Sequence, residues 1–407
     1  MSHNTPSPEL TSGTDIKSLP VRPPIRMDSR HFPSGERIIC PTGDNKCMDA
    51  PASLNDPFRF ARGGGKRMVN FTIINGCNAR CVYCSFHLNK DVKMVGLADA
   101  RRAIDFLAEH EVGVLSLTGG EPFLNPALPE MVRHAKRRGL IVFTGTNGSL
   151  LDERRLGALK KAGLDALWIS FESDSEGLFE KNRGIPGLSR MIRKGLRTCD
   201  ALGLNVFCIS LINRSIGSVP ALARTLADMG FSKVKFDYPM DFRLQSTYLG
   251  WSDSPLLKYT GDEMEDTVRQ ILRLKRSRAK GRIRVINPVQ GLLGAIEHFH
   301  GRRPAFRCTA GDKVLYLDTD LRFFRCPALP DVLGEVGKGL RPGTIDCERC
   351  YYQGVRDYDA IYYLLGRFDK GLGHLASGKM ASALRLLEPK LRLAMADAWD
   401  IRNSGLA

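Results

Sequence analysis

The sequence predicts an α/β protein: a partial (β/α)6 TIM-like barrel, followed by a small cysteine-rich subdomain and a helical tail. Three observations predict it. Six short, apolar, β-branched runs alternate with longer amphipathic stretches from Met68 onward, the pattern of βαβ units and a parallel sheet. Six such units favour a three-quarter barrel over a closed eight-unit one. Seven of the eleven cysteines fall into two spaced groups, one directly after the first run and one after the last helix.

The chain has 407 residues, enough for one large domain and a smaller one. Residues 1 to about 35 are rich in Pro, Ser, Thr and charge without apolar periodicity, so disorder is expected there. Residues 36–66 hold Cys40, Cys47 and the Gly63-Gly64-Gly65 run and read as an irregular lead-in, which makes 1–66 one N-terminal segment. The barrel is expected over 67–290. Its strands are predicted at 68–75, 113–118, 140–145, 165–171, 205–212 and 232–237. Its helices are predicted near 97–110, 127–138, 153–162, 187–202, 218–229 and 261–278. A curved parallel sheet places its chemistry just after the strands. A subdomain follows over 305–355, with a strand pair at 313–318 and 322–325 and then a loop to Cys347. The stretch 356–407 reads as helical, with Leu384, Leu386, Leu387, Leu391 and Leu393 in an amphipathic tail.

Composition narrows the class. At 43% hydrophobic and 26% charged the chain reads as soluble and globular. It contains no apolar run of about 18 residues, so no membrane span is expected. The N-terminus lacks a basic segment followed by an apolar one, so secretion is not expected and a cytoplasmic location is. A disulfide framework is then disfavoured, and spaced cysteines point to metal or cluster ligation. The net charge of +16 suits acidic partners or nucleic acid. Its densest run is Arg273, Lys275, Arg276, Arg278, Lys280, Arg282 and Arg284. Without interleaved aromatics that run reads first as a solvated helix face.

The first cysteine group is Cys77, Cys81 and Cys84, in Cys-Asn-Ala-Arg-Cys-Val-Tyr-Cys after the first strand. Three thiolates at this spacing hold three irons of a [4Fe–4S] cube and leave the fourth open to a chelating ligand. A zinc site completed by His87, or three buried cysteines, is the alternative. The CxxxCxxC spacing, with Tyr83 before the last cysteine, resembles the signature of the radical S-adenosylmethionine (radical SAM) superfamily. That resemblance covers about residues 66–240 and implies a SAM-bound [4Fe–4S] cluster, a 5′-deoxyadenosyl radical and hydrogen abstraction from substrate. It also implies an electron donor such as flavodoxin or ferredoxin. Gly119-Gly120-Glu121-Pro122 after the second strand is similar to the family's binding site for the SAM amino group. Asn147 after the third strand, and Ser170 and Glu172 after the fourth, stand where relatives contact SAM. Glu172 departs from the usual Asp. Arg183, in an Arg-Gly pair, is implied to meet the SAM carboxylate or the substrate. Ser210, Ile212 and Asn213 are implied to lie near ribose and adenine.

The second group is Cys308, Cys326, Cys347 and Cys350, a closed set of four that fits a [4Fe–4S] cluster or zinc. It resembles the SPASM and twitch extensions of radical SAM enzymes. Leu321 replaces the usual hairpin glycine, and Tyr351 and Tyr352 follow where a full SPASM domain has further cysteines. A single auxiliary cluster in a twitch-like subdomain is therefore expected. Cys199 and Cys208 read as core residues.

Together these features predict an oxidoreductase or maturase that modifies a small molecule or peptide, with net oxidation. Radical modification of a nucleotide, sugar phosphate or RNA is the second reading. A zinc-bearing nucleic-acid-binding protein without radical chemistry is the third, and the Gly-Gly-Glu-Pro turn speaks against it. Asp237 and Tyr238, after the sixth strand, are candidate substrate contacts.

Overall fold

The computed structural model describes residues 67–240, 254–277 and 283–363, except 345, 348, 349, 353 and 362. Expectations for 1–66, Cys40, Cys47 and the tail beyond 363 lie outside the described residues. So do Arg278, Lys280 and Arg282 of the basic run.

The first six strands are β1 (Arg67–Ile74), β2 (Val112–Gly119), β3 (Ile141–Thr146), β4 (Ala166–Ser170), β5 (Val206–Leu211) and β6 (Lys233–Asp237). Each lies within a residue or two of its predicted span. They alternate with α1 (Leu97–Glu109), α2 (Leu128–Arg137), α3 (Glu153–Ala162), α4 (Glu176–Arg183), α5 (Leu188–Ala201) and α6 (Val219–Met229). After β6 come α7 (Gly261–Arg276), β7 (Arg284–Val285) and α8 (Val289–Phe299). The C-terminal strands are β8 (Val314–Leu317), β9 (Arg322–Phe324), β10 (Val332–Glu335) and β11 (Gly339–Leu340). Residues 354–361 are helical.

One sheet runs in the order β11-β10-β9-β8-β1-β2-β3-β4-β5-β6-β7. β1 through β7 pair in parallel, each with the next in sequence. β8 pairs in parallel with β1, so the cysteine-rich segment extends the barrel sheet at its first strand.

Strand parity divides the core in two. Val69, Phe71 and Ile73 of β1, with Leu115, Leu117, Leu167 and Ile169, pack against helix residues such as Ile104, Leu107 and Val132. The other parity gives Met68, Val114, Phe143, Ala166, Phe207 and Ile286, an apolar floor built almost wholly from strands. This is the concave face. Higher on it the strands turn polar, at Asn70, Thr72, Ser116, Lys235 and Asp237. Local signals set the helix ends. The side chains of Asp152 and Ser218 accept from Arg155 N and Ala221 N at the starts of α3 and α6. Thr260 and Glu263 form a capping box at α7.

Three differences from the sequence reading stand out. α4 is a separate short helix before α5. A seventh unit, β7 with α8, continues the barrel, and α8 crosses the 290 boundary. The expected loop between Cys326 and Cys347 contains the β10–β11 hairpin. Arg273, Lys275 and Arg276 occupy the last turn of α7, where cations face its free carbonyls. Cys199 and Cys208 are buried in the core as expected. Among the described residues no helix is long and apolar enough to cross a membrane.

Candidate active site

The loop after β1 carries Cys77, Cys81 and Cys84, and these gather at the C-terminal ends of the strands. Cys81 and Tyr83 are buried with Ala79, Leu211 and Leu257, and Cys77, Cys84 and Ile185 pack against them. Burial pushes the Cys77 and Cys84 thiols up to about 12, so thiolates form there only against a compensating cation.

The Gly119-Gly120 pair allows the second loop to meet this one. Gly120 N donates to Ile74 O at 2.9 Å, and Glu121 N donates to Gly76 O at 3.0 Å. A Cβ on Gly119 would stand 2.1 Å from Ile74 O, and one on Gly120 2.0 Å from Gly76 O. Gly119 also holds φ at +141°, which side chains rarely adopt. Glu121 is thereby buried completely beside the thiols. It accepts from Phe123 N at 3.1 Å and from Asn147 N at 2.7 Å. Among the described residues no cation pairs with it, and burial pushes its carboxyl up to about 7.

Asn147 joins three parts of the site. Its amide donates to Glu121, and its side chain donates to Asn78 Oδ1 at 2.8 Å and lies 3.9 Å from Cys77 Sγ. Ser170 ends β4, half-buried.

Glu172 and Arg183, expected to meet SAM, meet each other. Arg183 Nε donates to Glu172 Oε1 at 2.7 Å, and its Nη2 donates to Oε2. Tyr83 OH donates to the same carboxylate, and Arg183 Nη1 lies 3.6 Å from Cys81 Sγ. Helix α4 makes this meeting possible. Its last carbonyls, those of Asn182 and Arg183, accept Val82 N at 3.0 Å and Arg80 N at 2.9 Å. The cysteine loop thus caps α4.

The fifth strand differs from expectation. Phe207 and Ile209 face the barrel interior and Leu211 the thiols, whereas Cys208 and Ile212 lie in the core beneath the helices. Ser210 shares the face of Cys208, so the structure brings neither Ser210 nor Ile212 to the mouth. Asn213 reaches back, donating from Nδ2 to Glu172 O and Leu211 O, both at 2.8 Å.

At the end of β6, Asp237 is in register with Leu211. Its Oδ1 is buried without a hydrogen-bond partner among the described residues. Burial, opposed by Lys235, pushes its carboxyl up to about 7. Tyr238 instead enters the core and meets Tyr351 edge-on at 5.1 Å.

The second cysteine group also comes together. Cys308 and Cys326 pack with Tyr316, Phe324 and Tyr352, and with Phe86 from the first loop. The charge of Cys350 acts on Cys308, that of Cys308 on Cys326, and Cys347 lies close enough to act on Cys326 and Cys350. Burial pushes Cys308 and Cys350 up to about 12 and Cys326 up to about 11. The sequence did not single out what holds this turn. Asp359 accepts from Thr309 N at 2.8 Å and pairs with Arg356 at 3.1 Å, and Arg356 lies over the Tyr351 ring. The only signal was position, a short helix just after Cys350.

Comparison with known proteins agrees with this geometry. Residues 71–216 match the Radical SAM superfamily model. The chain is 28% identical over 175 residues to an Fe-coproporphyrin III synthase from Methanosarcina barkeri, covering 42% of this chain and 43% of that protein. It is 29% identical over 214 residues to a PqqA peptide cyclase from Gluconobacter oxydans, covering 51% and 57%. The chain thus spans about half the length of these relatives. Among solved structures, Streptococcus suis SuiB bound to S-adenosylmethionine aligns with TM-score 0.51 and 12% identity over 64% of this chain and 60% of that one. The anSMEcpe structure with bound AdoMet and a Cp18Cys peptide aligns with TM-score 0.52 and 14% identity, over 66% and 77%. At such identity these two share the fold. The similarity to the radical SAM superfamily thus runs through residues 71–216, the stretch that holds Cys77, Cys81, Cys84 and Glu121.

Proposed function

We propose that this radical SAM enzyme oxidises a small-molecule or peptide substrate, with Cys77, Cys81 and Cys84 holding the SAM-cleaving [4Fe–4S] cluster and Cys308, Cys326, Cys347 and Cys350 holding a second. The carrying observation is the meeting of three buried thiols with Glu121, a buried carboxylate that no cation pairs with among the described residues. The donor set fits the group: three thiols for the cluster, and Glu121 to accept the ammonium of SAM, held in place by the amides of Phe123 and Asn147. When bound, the first cluster would supply the electron for reductive SAM cleavage, and the second would offer an acceptor for a substrate electron.

The chain's own residues then bind, orient and exclude water. The apolar floor of Met68, Val114, Phe143 and Phe207 closes the barrel from below. Asp237 stands on the face of Leu211, which packs on the thiol loop, and in this reading its unpartnered carboxylate oxygen takes the proton lost as the substrate is oxidised. The relatives named above include a peptide cyclase and a porphyrin-handling synthase, which keeps both substrate classes in the proposal. The charge of +16 suits an acidic, low-potential electron donor of the flavodoxin or ferredoxin kind. We also assign residues 67–299 to the barrel and 305–361 to the twitch-like segment.

The test is SAM cleavage by anaerobically reconstituted protein with dithionite. Wild type is expected to release 5′-deoxyadenosine, and Cys77→Ala, Cys81→Ala and Cys84→Ala to release none. Retained cleavage in any of the three would overturn the ligand assignment.

A further inference from the structure

The pairing of Arg183 with Glu172 is complete without any ligand. Two guanidinium nitrogens, Nε and Nη2, grip the Glu172 carboxylate, and the third, Nη1, is left pointing at Cys81 Sγ, 3.6 Å away. The Tyr83 hydroxyl, one residue before Cys84, donates to the same carboxylate. The side chains of Arg183 and Glu172 are 10% and 1% exposed. The backbone fixes the arrangement as well, because Arg80 and Val82 of the thiol loop donate to the final carbonyls of α4. A cation is therefore held beside one of the three thiols by contacts from both sides.

Hydrogen bonds to ligating sulfurs and nearby charge set the reduction potential of an iron–sulfur cluster. One-electron reduction adds negative charge, so a cation donating to a ligating sulfur favours the reduced form. A carboxylate behind that cation opposes it more weakly, from further away.

We infer that Arg183 is a positioning residue that raises the reduction potential of the cluster held by Cys77, Cys81 and Cys84, and that Glu172 orients Arg183 and moderates its effect. The inference rests on the ligand assignment proposed above. It departs from the role the motif implies, contact of Arg183 with the SAM carboxylate or the substrate.

The experiment is an EPR-monitored redox titration of the anaerobically reconstituted full-length chain without SAM, one electron per cluster. The relevant signal is identified as the one that changes when SAM is added. Arg183→Met is expected to lower the midpoint potential, and Glu172→Gln to raise it. Opposite signs from the two halves of one pair separate a charge effect from loose packing. The double variant leaves no unpaired buried charge, so it keeps the fold, and it is expected below wild type because the hydrogen bond to Cys81 is gone. Unchanged SAM-free potentials with weakened SAM binding would overturn the inference. So would shifts of the same sign in both single variants. Should a single variant lose its iron, an unchanged potential in the double variant overturns the inference. Absence of iron and sulfide from wild type would sink the ligand assignment itself, an outcome distinct from a cluster whose potential does not move.

Discussion

At Asp237, strand parity and burial combine to give an acid–base group near neutral pH. Its ordinary range lies near 4, but burial raises it to about 7, so it is protonated at pH 6 and ionised at pH 8. Only the ionised form accepts a proton. Substrate oxidation is therefore expected to rise with pH through about 7 and to lose that dependence in Asp237→Asn, while 5′-deoxyadenosine release continues. Equal pH profiles for product in the two proteins would remove Asp237 from the mechanism. Arg183→Met also carries a stability cost, because Glu172 stays buried without its cation. Thermal or denaturant unfolding is expected to show a loss of about 3–5 kcal/mol, most of it recovered by adding Glu172→Gln. The meeting of Cys77, Cys81 and Cys84 with Glu121 and Asn147 was legible because each sits in a short motif after a strand. The Glu172–Arg183 pairing was not. Both residues were visible, but only the capping of α4 by the thiol loop, a contact distant in sequence, turns them toward each other. Ser210 and Ile212 failed for a simpler reason, since the parity of β5 gives the mouth to Leu211.

Helices and strands with strong periodicity were read nearly to the residue, and those without it were missed. β7 has two residues, too few for alternation to show. α4 is eight residues, EGLFEKNR, with four charges and little apolar pattern, so it read as loop. β10 and β11 carry Gly334 and Gly339 and expose much of their length, which hides a hairpin. Glycine substitutions separate the two kinds of constraint. Gly120→Ala drives a methyl into Gly76 O, so it is expected to destabilise by about 1–3 kcal/mol and to lower iron retention. Gly157, inside α3, has nothing within 4 Å of an added methyl, and Gly157→Ala is expected to stabilise by about 0.5–1 kcal/mol. Denaturant unfolding of both variants checks the opposite signs; a Gly120→Ala protein as stable as wild type would mean that the loops do not press together.

Across the whole molecule, the two cysteine groups belong to one sheet. β8 hydrogen-bonds to β1, the strand that delivers Cys77, and Phe86 from the first loop packs with Cys308 and Cys326. The sequence showed the second group as a separate subdomain because strand order is a non-local property, which no stretch of residues displays by itself. Ending the chain after residue 300 would uncover the edge of β1 and the apolar faces beside it. Such a truncation is expected to aggregate or to lose its iron. A soluble truncation that keeps its first cluster would make the second segment an independent unit. The most direct test of the account is the iron, sulfide and zinc content of the full-length chain after anaerobic reconstitution. The account predicts about eight irons and eight sulfides per chain without zinc, two [4Fe–4S] clusters. About four irons would remove the second cluster, and zinc alone, with no iron, would contradict the radical chemistry at its root.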